Sequence, residues 1–518
     1  RGYGYKEMKP MLYNGMWRKF DIYRNFPEIG GRNVVAYFDF DLSDGTPLEV
    51  KVALSPVSAS GALNNLRIET AGKNFGQLCA QAGQKWEDAL SVIDVKGDYD
   101  QVCNIYSSMY HTMINPSVYM DHDGSYRGLD QEIHQADQFT NYTVFSVWDT
   151  YRALHPLFNL FYPSRSKDIV ASFLAHYRQS VHGLLPIWSH MANENWCMIG
   201  YHAVSVIADA IMKDVKGFDY ERAYEAMKTT ATNPNYDCLP EYTELGWVPF
   251  DKEKESVSKS LEYAYDDYCI AQVAQKLGKT EDYEFFMKRA LSYKNLIDPG
   301  TKYMRGRDSK GNWRTPFAPI AYQGPGSVNG WGDITEGFTL QYTWYVPHDV
   351  QGYINEAGED LLRERLDSMF VTQMADNIPG AHDIQGRVGA YWHGNEPCHQ
   401  ILYFYNYLKQ PWKCQEKVRY IMDTFYGNKP DALSGNDDCG QMSAWYIFNT
   451  MGFYPTAPSS NVYNLGSPGL AAVDMKMSNG KHLRMTTGNW SARNVFVKEV
   501  YLNGKKYDKS YITYNDIK

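Results

Sequence analysis

The sequence predicts a mainly α-helical protein: a ring of helical hairpins over residues 73–457, flanked by β segments at residues 1–72 and 458–518. Three observations carry that assignment. Apolar side chains recur at helical spacing in segment after segment of the central region, roughly a dozen in all. Both ends instead alternate apolar and polar residues, which is the strand period. The helical pairs share no sequence motif, so a closed α/α toroid with its loops gathered at one mouth fits better than an open solenoid of like repeats.

Taken in order, residues 33–42 (NVVAYFDFDL) and 47–55 (PLEVKVALS) read as strands joined by a turn at SDGT, residues 43–46. Two or three strands this short make no independent sheet, so they are expected to end a larger β domain. The chain starts at Arg1 with no initiator methionine and no apolar signal region, as expected of a mature or trimmed product. Helices are expected over 75–93, 102–113, 169–181, 203–212, 263–277, 283–296 and 417–426, separated by loops rich in Gly, Pro, Asn and Trp. The strand pattern returns at 462–465, 481–487, 495–502 and 511–514, with Asn-Gly turns at Asn479 and Asn503.

Composition narrows the function. A net charge of -9 without any basic stripe argues against nucleic acid. No run of about 18 apolar residues exists, so no helix is expected to span a membrane. Eight cysteines are scattered without CxxC or Cys/His zinc spacing. Most read as small buried residues, one disulfide stays open, and the compartment is not fixed by them. The 42 tyrosines, 13 tryptophans and 22 phenylalanines are many, and aromatic faces either fill cores or stack on sugars and bases.

The chemistry concentrates in five loops. GNDDCG (435–440) places Asp437 and Asp438 side by side in a glycine-bounded turn ahead of a helical pattern. One carboxylate, or Asn436, can cap that helix; two adjacent acids ask for a cation or a catalytic duty, or else form a solvated acidic turn. WDTYRALHP (148–156) carries Trp148, Asp149 and Arg152, which read either as a sugar grip or as core packing with a local ion pair. ENWCMIGYHA (194–203) carries Glu194 and His202, the latter equally readable as a satisfied core histidine. DITEGFTLQYTWYVPHD (333–349) carries Glu336, Gln341, Trp344 and His348, and Asp333 with Glu336 could instead be a capping box. WHGNEPCHQ (392–400) carries His393, Asn395, Glu396, His399 and Gln400. Its oxygen donors suit calcium, and neither HxxxH nor HExxH spacing is present there. Acids and amides beside tryptophan and tyrosine suit a sugar: planar hydrogen bonds to hydroxyls and a flat face for the ring.

Together and in this order, WDTYRALHP, MIGYHAVSVIADA, SVSKSLEYAYDD, TEGFTLQYTWYVPHD, HGNEPCHQILYFYNY, PWKCQEKVR and GNDDCGQMSAWYIFNTMGFYP resemble glycoside hydrolase family 92, the calcium-dependent exo-acting α-mannosidases. The resemblance runs from about residue 10 to the C-terminus. It implies an N-terminal β-sandwich, an (α/α)6 toroid and a β tail, with residues 1–72 the last part of the sandwich. It implies inversion by single displacement, with two carboxyl groups about 6.5–9.5 Å apart. The general acid maps to Glu336 and the general base to Asp438, assisted by Asp437 or Asn436. Calcium maps to the loop of Asn395 and Glu396, with Gln400, and with the acidic turn reaching it directly or through water. Trp148 and Asp149 map to the grip on the terminal mannose, and Glu194, His202, Trp344 and His393 are further sugar-binding candidates. Mannose-containing glycans are the implied partners, together with the rest of the sandwich, and the implied setting is periplasmic or extracellular. Two other readings stand beside this one: another (α/α)6 glycosidase, which would need no calcium, and a non-catalytic mannan-binding protein. A purely structural helical array would leave the polar loops unexplained.

Overall fold

The computed structural model describes residues 36–518 except 328, 329 and 383, together with the backbone of three short strands, Tyr3–Tyr5, Met11–Tyr13 and Met16–Arg18. Helices alternate between two layers. The outer ones, Tyr99–Ile114, Pro163–Gln179, Tyr220–Ala231, Thr280–Ala290, Glu359–Met369 and Pro411–Phe425, bury one face each. The inner ones, Leu154–Phe161, Ala203–Met212, Ser256–Lys276, Thr339–Tyr342, Phe404–Tyr407 and Gln441–Thr450, are buried almost all round. A helix apolar on every side belongs inside and an amphipathic one covers it, whereas Ser256–Lys276 is inside although it buries Lys259, Glu262, Asp266 and Asp267. The ring closes where Gln441–Thr450 packs on both Tyr99–Ile114 and Leu154–Phe161, more than 280 residues earlier in the chain. The result is a mainly helical (α/α)6 toroid. Trp344, Trp392 and Trp445 are wholly buried in it, so much of the aromatic content fills core.

The C-terminal segment forms small antiparallel sheets on the ring. Ala472–Lys476 pairs with His482–Thr486 on one side and recruits Ile93–Lys96 on the other, with Val473 opposite Val95 and Met475 opposite Ile93. Phe453–Tyr454, Val462–Leu465 and Tyr511–Thr513 make a second sheet. The hairpin Val500–Leu502/Lys505–Tyr507 turns at Asn503 (φ 50°) and Gly504 (φ 78°), the left-handed pair that the Asn-Gly signal predicts.

The N-terminal part departs from expectation. Ala36–Phe38 is a strand paired with Tyr3–Tyr5, while residues 33–35 of the first expected strand lie outside the described residues. Residues 47–54 form no strand: Val50, Val52 and Leu54 are 69, 80 and 86% exposed, and alternation without a partner strand leaves the backbone unpaired. Ala59–Thr70 is a helix, capped by the Ser58 hydroxyl, where the expected β region would still continue. Among the described residues all eight cysteines are free, and only Cys269, Cys398 and Cys414 are buried, fewer than the sequence suggests. No described helix is long and apolar enough to cross a membrane.

Candidate active site

Three acids from distant stretches of chain converge. Asp149, Glu396 and Asp438 each offer a carboxylate oxygen, and these oxygens lie within 4.8 Å of one another. Asp149 sits in the short helix Val147–Thr150, where its carboxylate accepts from the Ser146 hydroxyl. Glu396 opens the turn Glu396–Cys398, with Pro397 fixing its start. Asp438 (φ 45°), Cys439 (φ 57°) and Gly440 (φ 97°) run left-handed in succession before the Gln441–Thr450 helix begins. A non-glycine residue adopts that conformation at a cost, and such outliers gather at functional sites.

The electrostatics are strained. Burial, and then the nearby Asp438 charge, push the Asp149 and Glu396 carboxyls well above the usual range. Asp438 lies close enough to raise the Glu396 carboxyl, and Glu396 Oε1 is buried with no partner among the described residues. Carboxylates this close cannot all ionise without a proton or a cation between them. Arg152 does not neutralise them by contact. Its guanidinium lies 5.0 Å over Trp148 and 4.7 Å over Tyr151, and its Nε donates to the Trp148 carbonyl. Its two terminal nitrogens have no hydrogen-bond partner among the described residues, so the local Asp149–Arg152 ion pair that the sequence allows does not form. Oxygens bound to one calcium at about 2.3–2.6 Å must lie within roughly 5 Å of each other. The three carboxylates, all hard oxygen donors with one buried oxygen left over, fit such an ion, and Asp149, Glu396 and Asp438 are the residues that would hold it.

Glu336 stands outside any helix. Its φ is 47°, and helix Thr339–Tyr342 starts only after Phe338. The Asp333–Glu336 capping box therefore does not form; Asp333 accepts from the Arg314 guanidinium and from the Ser256 hydroxyl at 3.0 Å. The Glu336 segment is fixed through its backbone. The Asn395 side-chain amide donates to the Glu336 carbonyl at 2.9 Å, and the Gln323 N–H to the Gly337 carbonyl at 2.8 Å. The Thr335 N–H donates to Ser258 Oγ at 2.9 Å, and the Thr335 hydroxyl to Glu255 at 2.7 Å. The Glu336 charge also raises the carboxyl of Asp149, after burial and the Asp438 charge.

Asp437 accepts from the Ser443 N–H and hydroxyl, both at 2.9 Å, which caps the following helix, and burial lifts its carboxyl to about 7. Gln400 is buried, with Nε2 unpartnered among the described residues. Trp148 is 2% exposed and its indole N–H donates to both Glu262 oxygens, at 3.1 and 3.2 Å. His202 bridges Glu262 (3.0 Å) and Asp266 (2.8 Å) beneath the Tyr151 ring. Burial alone would lower its pKa, but the two carboxylates outweigh that and hold it at about 9. Glu194 accepts backbone N–H groups from Ile187, Trp188 and Trp196. Trp344 packs on Phe404, and His393 bonds the Tyr391 and Tyr426 hydroxyls. Glu194, His202 and His393 are thus not among the clustered carboxylates and spend their polar atoms on protein partners, while Trp344 packs in the core. Sequence reasoning missed Glu262 and Asp266. Their signal was two acids on a helix, SVSKSLEYAYDD, whose side chains are buried from Ser256 to Asp267.

Comparison with known proteins identifies the family. The glycosyl hydrolase family 92 catalytic domain matches residues 61–518. A family GH92 α-mannosidase of Bacteroides thetaiotaomicron, solved in complex with mannoimidazole, superposes with a TM-score of 0.92 at 61% identity, covering 100% of this chain and 67% of that one. A family GH92 inverting mannosidase of the same organism superposes with a TM-score of 0.82 at 29% identity, covering 100% of this chain and 70% of that one. An uncharacterized secreted glycosidase of Arthroderma benhamiae is 25% identical over 524 residues, and this chain spans 92% of itself but 60% of that protein's length. The fold, the ordered motifs and the matched catalytic domain together make this chain a member of glycosyl hydrolase family 92.

Proposed function

We propose that the chain is an inverting exo-α-mannosidase that removes terminal α-linked mannose from glycans such as N-glycans or mannans, and that it requires calcium. The observation that carries the reading is the convergence of Asp149, Glu396 and Asp438 beside a separately held Glu336. The relatives support the sugar: the 61%-identical protein is an α-mannosidase and the 29%-identical one an inverting mannosidase. A secreted relative supports a periplasmic or extracellular setting.

In this reading Glu336 is the general acid. Its backbone is gripped from three sides, so its carboxyl can deliver a proton to the leaving glycosidic oxygen from a fixed position. Asp438 is the general base, drawing a proton from a water that attacks the anomeric carbon from the opposite face; this inverts the configuration. Asp437, tied to Ser443, holds the turn that presents Asp438. Asp149, beside Trp148, grips the terminal sugar in the same reading. Calcium, held by the three clustered carboxylates with Asn395 and Gln400 in the same loop, would supply a fixed positive charge against the vicinal hydroxyls of mannose. A glutamic acid at 336 suits a poor leaving group, which needs protonation.

Release of mannose from linkage-defined α-mannobioses, with calcium and with EDTA, tests the reading. Calcium-dependent release of β-mannose, seen by NMR before mutarotation, is expected. Release of α-mannose would refute inversion, and activity that resists chelation would favour a calcium-independent (α/α)6 glycosidase. Binding of mannan with no turnover by the chain would favour a non-catalytic binder.

A further inference from the structure

The loop from strand Trp188–His190 to helix Ala203–Met212 is held in an expensive shape. Between Met191 and Met198, four residues with a Cβ are left-handed: Met191 (φ 46°), Ala192 (59°), Trp196 (55°) and Met198 (68°). Such conformations persist only where the surroundings over-determine them. Here the surroundings do. The Glu194 carboxylate, half of a short hairpin with His190–Ser189, accepts from the Ile187, Trp188 and Trp196 N–H groups at 3.0, 2.8 and 3.2 Å. The Met191 N–H donates to Thr143 Oγ1 at 2.7 Å, and the Gln131 amide to the Ala192 carbonyl at 2.8 Å.

What this bonding displays is Trp196. It is 45% exposed, with its ring 5.5 Å edge-on to His182 and 6.3 Å from Tyr236. A tryptophan that only filled core would not be left half in water on a loop so heavily fixed. The loop is rooted at the carboxylates: Ser146 pairs with Trp188 and Phe145 with Ser189, and Asp149 follows three residues after Ser146. Its next residue, Cys197, is raised by partial burial and then by the charges of Glu336 and Asp149. Trp196 lies two residues beyond Glu194, on the hairpin whose partner strand Phe145–Ser146 leads into Asp149. In the glycosidase reading Glu336 serves the leaving oxygen, so a group attached to that oxygen lies within reach of this loop.

We propose that Trp196 is a specificity-determining platform for the leaving group, a pyranose of an oligosaccharide whose apolar face stacks on the indole, and that Glu194 is the positioning residue that fixes it. This rests on the glycosidase reading, and the experiment separates the two. The kcat/KM of the parent and of Trp196→Ala is measured on an α-linked mannotriose and on α-mannosyl fluoride, whose leaving group reaches no platform. The expected loss on the trisaccharide is about tenfold, mostly in KM, with a several-fold smaller loss on the fluoride. Trp196→Phe should regain most of it. Glu194→Gln, which keeps a carbonyl acceptor, should retain more of the trisaccharide preference than Glu194→Ala. Equal losses on both substrates at an unchanged melting temperature, or no loss on the trisaccharide, would overturn the proposal. If the parent turns over neither substrate, the glycosidase reading fails. Calorimetric binding of mannotriose then decides the platform: several-fold weaker binding by Trp196→Ala supports it, and equal or absent binding refutes it.

Discussion

Gly324→Ala tests how tightly Glu336 must be held. A Cβ built on Gly324 would lie 2.7 Å from the Glu336 Cα and 2.5 Å from the Tyr322 hydroxyl oxygen. Ordinary carbon–carbon contact is ~3.5–4.0 Å, so the two backbones must part by about 1 Å. The Tyr322 ring must give as well, since its Cζ would lie 2.7 Å from that Cβ and its hydroxyl donates to the Gly380 carbonyl at 2.9 Å, and the Glu336 Cα cannot move without stretching the 2.9 Å bond from Asn395 and the 2.8 Å bond between Gln323 and Gly337. A displacement of roughly 1 Å at a catalytic group costs about 100-fold in rate. The expected result is thus a fall of about two orders of magnitude in kcat on an α-mannobiose, with KM little changed and a destabilisation of about 1–3 kcal/mol by urea melts, the usual cost of overpacking. Gly83→Ala is the control. That glycine lies within the exposed Phe75–Leu90 helix with nothing within 4 Å of its missing Cβ, so alanine there should stabilise by roughly 0.5–1 kcal/mol and leave kcat alone. A Gly324→Ala variant with parental kcat would refute the claim that Glu336 acts from this backbone position.

Other perturbations separate the remaining roles. Glu336→Gln should lower kcat about 10²–10⁴-fold on a mannobiose and far less on a mannoside with an acidic phenol as leaving group; equal losses on both would remove Glu336 as the acid. Calcium at about 100 times its dissociation constant should stabilise the parent by about 2.7 kcal/mol in thermal melts. EDTA should reverse that shift and Glu396→Ala should abolish it, whereas a shift that survives in Glu396→Ala would place the ion elsewhere. His202 carries a raised pKa of about 9, so its contribution is fully present below about 6.5, its ordinary value, and is lost as pH rises through about 9. The parent's melting temperature should fall over that window, and His202→Gln should flatten the fall; a parallel pH profile for the variant would show that the histidine is not the titrating group.

The helices were legible because hydrophobic periodicity is local. A buried segment such as 203–212 shows its character in ten residues, and Asn503-Gly504 shows its turn in two. The segment 47–54 misled for the same reason: its alternation is real, but a strand exists only with a partner, and none lies beside it among the described residues. Glu336 shows the limit for single residues. Its spacing from Asp333 permits a capping box, and only the pull of Arg314 and Ser256 on Asp333 and the close approach of Gly324 decide against one.

The helical ring, the family motifs and the loops that carry the chemistry were readable from the chain alone, because each depends on residues close together in it. Only the tertiary structure decided that Asp149, Glu396 and Asp438 share one cluster while Asp437 caps a helix and Glu194 braces a loop. Which carboxylates meet across nearly 300 residues depends on how the ring closes, and whether a polar side chain faces ligand or protein depends on which partners burial leaves within its reach.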